Sequence, residues 1–274
     1  MALSLADLQV IIRGGGEMAS GIAHRLNRCH MKVLITEVAA PTTVRRTVAF
    51  AEAAYEGQQT IEGVRGLRVA TAAEVRESWR SGLIPVMIDP EAAIRREIVP
   101  DVIVDAIMAK KNSPTAMTDA RLVIGVGPGF SAGVNVHAVV ESNRGYHLGR
   151  VIWQGEAEPD TGVPAAVAGY SETRVLRAPR SGRFRALRQI GDVVQVGETV
   201  AEVDGVSIKA QIPGLIRGML RNDIEIQSGM KTGDIDPRGE REYCYTISDK
   251  ARAIGGGVLE AILHGFKELR VDTN

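Results

Sequence analysis

Residues 10–37 read VIIRGGGEMASGIAHRLNRCHMKVLITE, and no other stretch constrains the fold as much. A short apolar run ends in three glycines, a segment with helical spacing follows, and a second apolar run closes on an acid. Gly14, Gly16 and Ala19 form G-x-G-x-x-A between a strand and a helix. In that layout Gly14 permits a tight turn, Gly16 lets backbone approach a pyrophosphate, and Ala19 lets helix and strand pack closely. Gly15 belongs to the same loop, and the helix start offers free N–H groups to an anion. Glu37 lies 23 positions after Gly14, near where a ribose-binding acid is expected. The competing reading is a glycine-rich turn kept for packing alone.

Further apolar runs extend this unit. Strands are predicted at 8–13, 32–36, 84–88, 101–107 and 121–126, and their near-continuous Val/Ile/Leu content suits parallel strands covered on both faces. Helices are predicted over 17–28, 41–54 and 71–80, the last opened by a Thr71/Glu74 capping box. Residues 57–69 read as a small inserted hairpin. The expected class is α/β, a Rossmann-like doubly wound parallel sheet with ligands at the carboxyl ends of its strands.

Other candidates cluster near those ends. Arg13 stands where an apolar residue is usual, and faces either an anion or solvent. Arg45 and Arg46 follow the acid; they either hold an extra phosphate or line a solvated helix face. Gly125, Gly127 and Gly129, in VIGVGPGFSAG, end the fifth strand. They either flank the same crevice or make a tight connection. Asp105 sits in an apolar run before Lys110, Lys111 and Asn112. It must be paired, or placed where the sheet opens to the site. His137 and His147 lack the carboxylate spacing of a metal triad, so no metal site is expected. No G-x-S-x-G elbow, Walker lysine motif or H-E-x-x-H occurs, and catalytic residues stay unknown.

Composition narrows the partners. The formal charge is zero, from 33 basic and 33 acidic residues, so no global field points to nucleic acid or anionic lipid. No apolar run reaches the roughly 18 residues of a membrane span, and the start lacks the form of a signal peptide. Two cysteines outside any CxxC give no disulfide framework. A cytoplasmic protein with no nucleic-acid or membrane partner is expected.

The texture changes after residue 130. Two strands are expected around Asn143-Arg144-Gly145, then a polar stretch. Residues 176–204 lie over 208–236 at an offset of 32 without a gap, which suggests a two-fold β structure. Ile254, Val258, Ile262 and Phe266 mark one face of a closing helix. Three parts follow: 1–160 nucleotide-binding with a terminal hairpin, 170–245 the β repeat, and 248–274 the helix.

IIRGGGEMASGIAHRL, RRTVAFAEAAYEG, VDAIMAKKN, IGVGPGFSAGVNVHAVVES, RGYHLGRVIW and PDTGVPA occur in an order that resembles the YqeB-type accessory proteins of the selenium-dependent molybdenum hydroxylase system. The resemblance implies a maturation role, with a molybdenum hydroxylase or its maturation proteins as partners. The repeat resembles the barrel-sandwich hybrid of biotinyl and lipoyl carrier domains. The link between its halves is DGVS, residues 204–207, with no carrier lysine. A docking role is the expectation that follows.

The leading expectation is therefore an accessory factor holding a nucleotide-type ligand, either the dinucleotide form of the molybdenum cofactor or NAD(P). The alternatives are an NAD(P)-dependent oxidoreductase of a small substrate and a non-catalytic adaptor.

Overall fold

A nine-stranded sheet organises the amino-terminal half of the protein. In this computed structural model residues 4–109 and 114–266 are described. They fall into two units: one drawn from Met1–Pro41, Phe50–Asp160 and Ile247–Asn274, the other from Thr42–Ala49 and Thr161–Thr246.

The strands of the first unit are β1 (Gln9–Arg13), β2 (Lys32–Glu37), β3 (Gln58–Ile61), β4 (Val64–Val69), β5 (Ile84–Ile88) and β6 (Val102–Asp105). Then come β7 (Leu122–Val126), β8 (Ser131–Ala132), β9 (Ala138–Val140), β10 (Val151–Ile152) and β11 (Gly155–Glu156). The sheet order is β10-β9-β7-β6-β1-β2-β5-β4-β3, with β8 and β11 paired separately. From β9 to β4 neighbours run parallel, while β10 and β3 run antiparallel to theirs.

Each predicted strand is present to within a few residues, yet the doubly wound parallel sheet is not the fold. The sheet is mixed, and of its parallel crossovers only β1–β2 and β4–β5 carry a helix longer than one turn. Among the described residues, helices longer than one turn are α1 (Glu17–Arg28), α3 (Ala72–Arg80) and α5 (Asp249–Gly265). The other two, α2 (Ala53–Glu56) and α4 (Arg95–Ile98), have four residues each. Sequence explains the loss. Pro90 and Pro100 bracket α4, and Val99 leaves the helix in the left-handed region at φ 47°. The helix predicted over 41–54 does not form, because Thr42–Ala49 joins the second unit.

Where the pattern was strong it gives what it promised. The Thr71 hydroxyl accepts the Glu74 N–H at 3.2 Å and the Glu74 carboxylate accepts that of Thr71 at 3.1 Å. Alternate residues of the parallel strands face α3, in a core of Ile11, Leu34, Val75, Met87, Ile103, Val123 and Val139. Burying each such side chain is worth about 1.5–3 kcal/mol.

The second unit holds β12 (Val175–Arg177), β13 (Gly182–Ala186), β14 (Val193–Val194) and β15 (Thr199–Val203), then β16 (Val206–Lys209), β17 (Gly214–Met219), β18 (Glu225–Ile226) and β19 (Lys231–Asp236). They form two sheets, β12-β19-β17-β14 and β16-β15-β13-β18. Exchanging equivalent strands of the two halves converts one order into the other. Positions that repeat at the 32-residue offset meet in its core: Leu176 and Ile208, Phe184 and Ile216, Val194 and Ile226, Val203 and Ile235 are all buried. Residues 42–49 complete this unit, the Val44 carbonyl accepting the Met219 N–H at 2.9 Å.

Candidate ligand site at the carboxyl ends of the strands

The glycine loop joins β1 to α1 at the carboxyl end of the sheet. Gly14 takes φ +90°, and a Cβ there would lie 3.2 Å from the Ala106 carbonyl oxygen, so the loop after β6 presses directly on it. Gly14 N–H donates to Thr36 O at 2.8 Å. Gly15 N–H donates to Glu37 Oε2 at 2.7 Å, and Gly15 O accepts from Ala51 N–H at 2.8 Å and Ser20 Oγ at 3.0 Å. Gly16 caps α1 without a side chain, and a Cβ on it would meet nothing within 4 Å. Ala19 is fully buried, consistent with close helix packing.

Glu37 is held inside the loop. Its Oε1 accepts the Val38 N–H at 2.7 Å while Oε2 serves Gly15. Burial pushes its carboxyl above the usual range, and the two N–H bonds offset that only in part.

One rung of the sheet carries most of the polar candidates. Parallel register aligns Val69, Met87, Thr36, Arg13, Asp105, Gly125 and Val139 on a single face. Arg13 pairs with Asp105 at 3.2 Å, their side chains 7% and 1% exposed. Thr115 Oγ1 donates to Asp105 Oδ2 at 2.6 Å and contacts the Arg13 guanidinium, which also donates to Pro90 O at 3.2 Å. Of the two options for Asp105, the ion pair is the one formed. At Gly125 the Phe130 ring fills the space a side chain would need. Gly127, at φ +77°, is packed against the Ser142 hydroxyl; Gly129 has φ +104°. Lys110, Lys111 and Asn112 lie outside the described residues.

Arg45 and Arg46 belong to the second unit. Arg45 donates to the carbonyls of Tyr243 and Thr246 at 2.9 and 3.1 Å, and Arg46 to that of Met219 at 2.8 Å. Their guanidinium groups fix local backbone there.

Helix packing adds residues that linear reading missed. Gly21 lies against Ala251 and Gly255, and Arg25, one turn on, against Gly255 and Gly256. So α1 and α5 run in the same direction and both begin at the carboxyl end of the sheet. Lys250, in the first turn of α5, is pulled below the ordinary lysine range, chiefly by burial and secondarily by Arg144; Glu17, Glu141 and Asp160 oppose the shift. Glu141 itself is buried and accepts the N–H groups of Asn143 and Glu158 at 2.6 and 2.7 Å. No linear signal could have placed Lys250 near Glu17, since 233 residues separate them.

His137 and His147 have local partners, and Cys244 is buried. His137 Nδ1 accepts the Val123 N–H at 2.9 Å, and His147 contacts Glu158 at 3.0 Å. Among the described residues no three His, Cys, Asp or Glu side chains gather to hold a metal. Cys244 is buried, which raises its thiol pKa, and its Sγ lies 3.7 Å from Ile216 O. No helix of the described residues is long and apolar enough to cross a membrane.

No family model matches the chain. Among solved structures it is similar to an aspartoacylase family protein from Mesorhizobium loti, at TM-score 0.27 and 12% identity over 83% of this chain and 84% of that one. It is similar also to the ectoine utilization protein EutE (DoeB) from Ruegeria pomeroyi, at TM-score 0.24 and 13% identity over 82% and 85% of the chains. For TcdA (CsdL) the TM-score is 0.32, with 12% identity over 96% and 89%. Likenesses this weak carry no argument about fold or activity. In sequence the chain is 46% identical over 254 residues to the Escherichia coli (strain K12) protein named "Uncharacterized protein YqeB", covering 93% of this chain and 47% of that protein. The chain is thus a homologue of YqeB that spans about half the length of that relative.

Proposed function

We propose that the chain acts as an accessory factor for a molybdenum hydroxylase and that its first unit holds a nucleotide-containing ligand where β1, β6 and β7 end. The observation that carries the ligand reading is Gly16: the cap of a 12-residue helix with no side-chain cap and open space beside it. A helix start in that state favours an anion through its free N–H groups and its dipole. α5 begins on the same end, and Lys250 brings a cation to it. The ligand class is a pyrophosphate-bearing nucleotide, such as the dinucleotide form of the molybdenum cofactor or NAD(P). The molybdenum hydroxylase role follows from the sequence resemblance.

In this reading the second unit is a barrel-sandwich hybrid used for docking. Its exchanged strand orders support the comparison, and its central hairpin turns through Asp204 and Gly205, where a carrier domain would present its lysine.

A non-catalytic adaptor is the second reading. It is favoured by Glu37, whose carboxylate already serves Gly15 and Val38, and by Arg45 and Arg46, whose bonds lie in the other unit. Anaerobic purification followed by native mass spectrometry separates the two. Release of a pterin dinucleotide or NAD(P) supports the ligand reading. A protein that arrives empty and ignores both when added leaves the adaptor.

A further inference from the structure

A groove of about 580 Å³ opens in the second unit between the two halves of the repeat. Matching positions wall it: Leu176 and Arg177 from the first copy, Ile208 and Lys209 at the same places in the second. Val175, Leu176 and Ile208, all buried, give it an apolar floor. Glu172 lines the end that precedes β12.

Two observations point to an occupant, and the first is the backbone. β12 and β16 each end a sheet, so one main-chain edge of each has no strand beside it. No residue of β15 or β19, the strands they do pair with, lines the groove, which therefore lies on the free edges. Ala210 N–H donates to Glu198 O at 2.9 Å across the β15–β16 hairpin. The alternation of a strand then turns the N–H groups of Lys209 and Ser207 outward, toward the groove. An edge in that state is a template for an added strand.

Charge is the second observation. Arg177 and Lys209 hold the same position in the two copies, both exposed, and neither has an acidic partner among the described residues. Elsewhere in the unit Arg183, Arg185 and Arg188 pair with Asp223, Glu202 and Glu198. Arg177 gives one nitrogen to Gly229 O at 3.1 Å. Glu172 is the one acid among the lining residues, so the groove carries an excess of positive charge.

We infer that this groove docks an extended segment of a partner protein that carries acidic side chains at alternate positions. The segment pairs with the free edge of β16 through Ser207 and Lys209. Its acids meet Lys209 and Arg177, and the side chain between them lies toward the apolar floor. A second copy of this chain is excluded as occupant, because its own edge strands bring the same cations and like charges repel. The inference rests on the docking reading of the second unit and adds the surface and the chemistry of the partner.

The test presents the whole protein to a phage-displayed library of random nine-residue peptides. Peptides enriched on it are expected to carry Asp or Glu at alternate positions. Fluorescence anisotropy is expected to show binding to Lys209→Glu weakened about tenfold. Arg188→Glu makes the same charge change outside the groove and leaves binding unaltered. N-methylation of the peptide's central main-chain nitrogens removes strand hydrogen bonds and weakens binding about fivefold. Thermal melting confirms that both variants, changed at exposed positions, are folded. The inference is overturned if no acidic peptide is enriched, or if Arg188→Glu weakens binding as much as Lys209→Glu. An N-methylated peptide that binds as tightly as its parent also overturns it. Peptides that bind the second unit yet ignore Lys209→Glu put docking elsewhere on that unit: the groove fails and the docking reading stands.

Discussion

The Glu37 carboxylate accepts the Gly15 N–H at 2.7 Å, tying the end of β2 to the loop before α1. The motif assigns this acid to a ribose, and the fold gives it a second role, that of holding the glycine loop open-ended at Gly16. A carboxylate oxygen accepts more than one hydrogen bond, so the two roles are compatible.

The burial of Glu37 beside that loop predicts a pH signature. Burial raises the Glu37 pKa above its ordinary 4.5, so its contribution to stability is full below the ordinary value and is lost as pH rises through the raised one. Glu37→Gln removes this titration. Thermal unfolding measured from about pH 4 to 8 is expected to show the parent losing ground to the variant as pH rises. A constant difference across that range contradicts the assignment.

Asp105 and Arg13 behave as a buried pair. Asp105→Ala leaves the Arg13 guanidinium charged and buried, and is expected to cost about 3–5 kcal/mol. Thr115→Val, which removes a bond to the same carboxylate, should cost about 1 kcal/mol. Urea unfolding of both variants checks the ranking, and equal losses argue against the pair.

Asp234 sets the acid limit of the second unit. It accepts from Arg174 at 3.1 Å and Arg217 at 2.6 Å. Burial raises its pKa, but Lys231, Arg217 and Arg45 outweigh that and hold it at about 2. Its contribution is present above the unfolded value of 3.8 and is lost as pH falls toward 2. Asp234→Asn should flatten acid unfolding in that window while costing about 3–5 kcal/mol at neutral pH. An unchanged acid profile would remove Asp234 as its cause.

Close contact between α1 and α5 depends on small residues. A Cβ at Gly21 would sit 2.7 Å from that of Ala251. Gly21→Val is expected to cost about 1–3 kcal/mol through overpacking, whereas the same change at Gly16, which faces open space, should cost far less. Denaturant midpoints of the two variants decide it.

The sequence was informative where local chemistry decides structure. The strand ending in Arg13, the capping box at Thr71 and Glu74, and the 32-residue repeat that buries Phe184 with Ile216 need no distant partner to be recognised. It misled where distant partners decide. Residues 42–49 have helical spacing, yet Val44 bonds to Met219, 175 positions on. Pro90, Pro100 and Val99 shorten the crossover from β5 to β6, so strand content alone overstated the regularity of the sheet. Within the site, the loop glycines and Glu37 were legible. The Arg13–Asp105–Thr115 cluster was only half so, because Thr115 carries no motif. Lys250 was invisible, because it needs α5 laid beside α1.

Gly16→Asp tests the ligand site at the start of α1 most directly. Asp is a good helix cap, so the substitution should preserve or raise stability by a few tenths of a kcal/mol. It also places a competing negative charge where the ligand's pyrophosphate would sit. Titration calorimetry with NADP, which carries the pyrophosphate common to both ligands named above, on parent and variant is the measurement. The expected result is binding by the parent and at least tenfold weaker binding by a stably folded Gly16→Asp. Equal affinity in the two, or no binding by the parent, would contradict a ligand site at the start of α1.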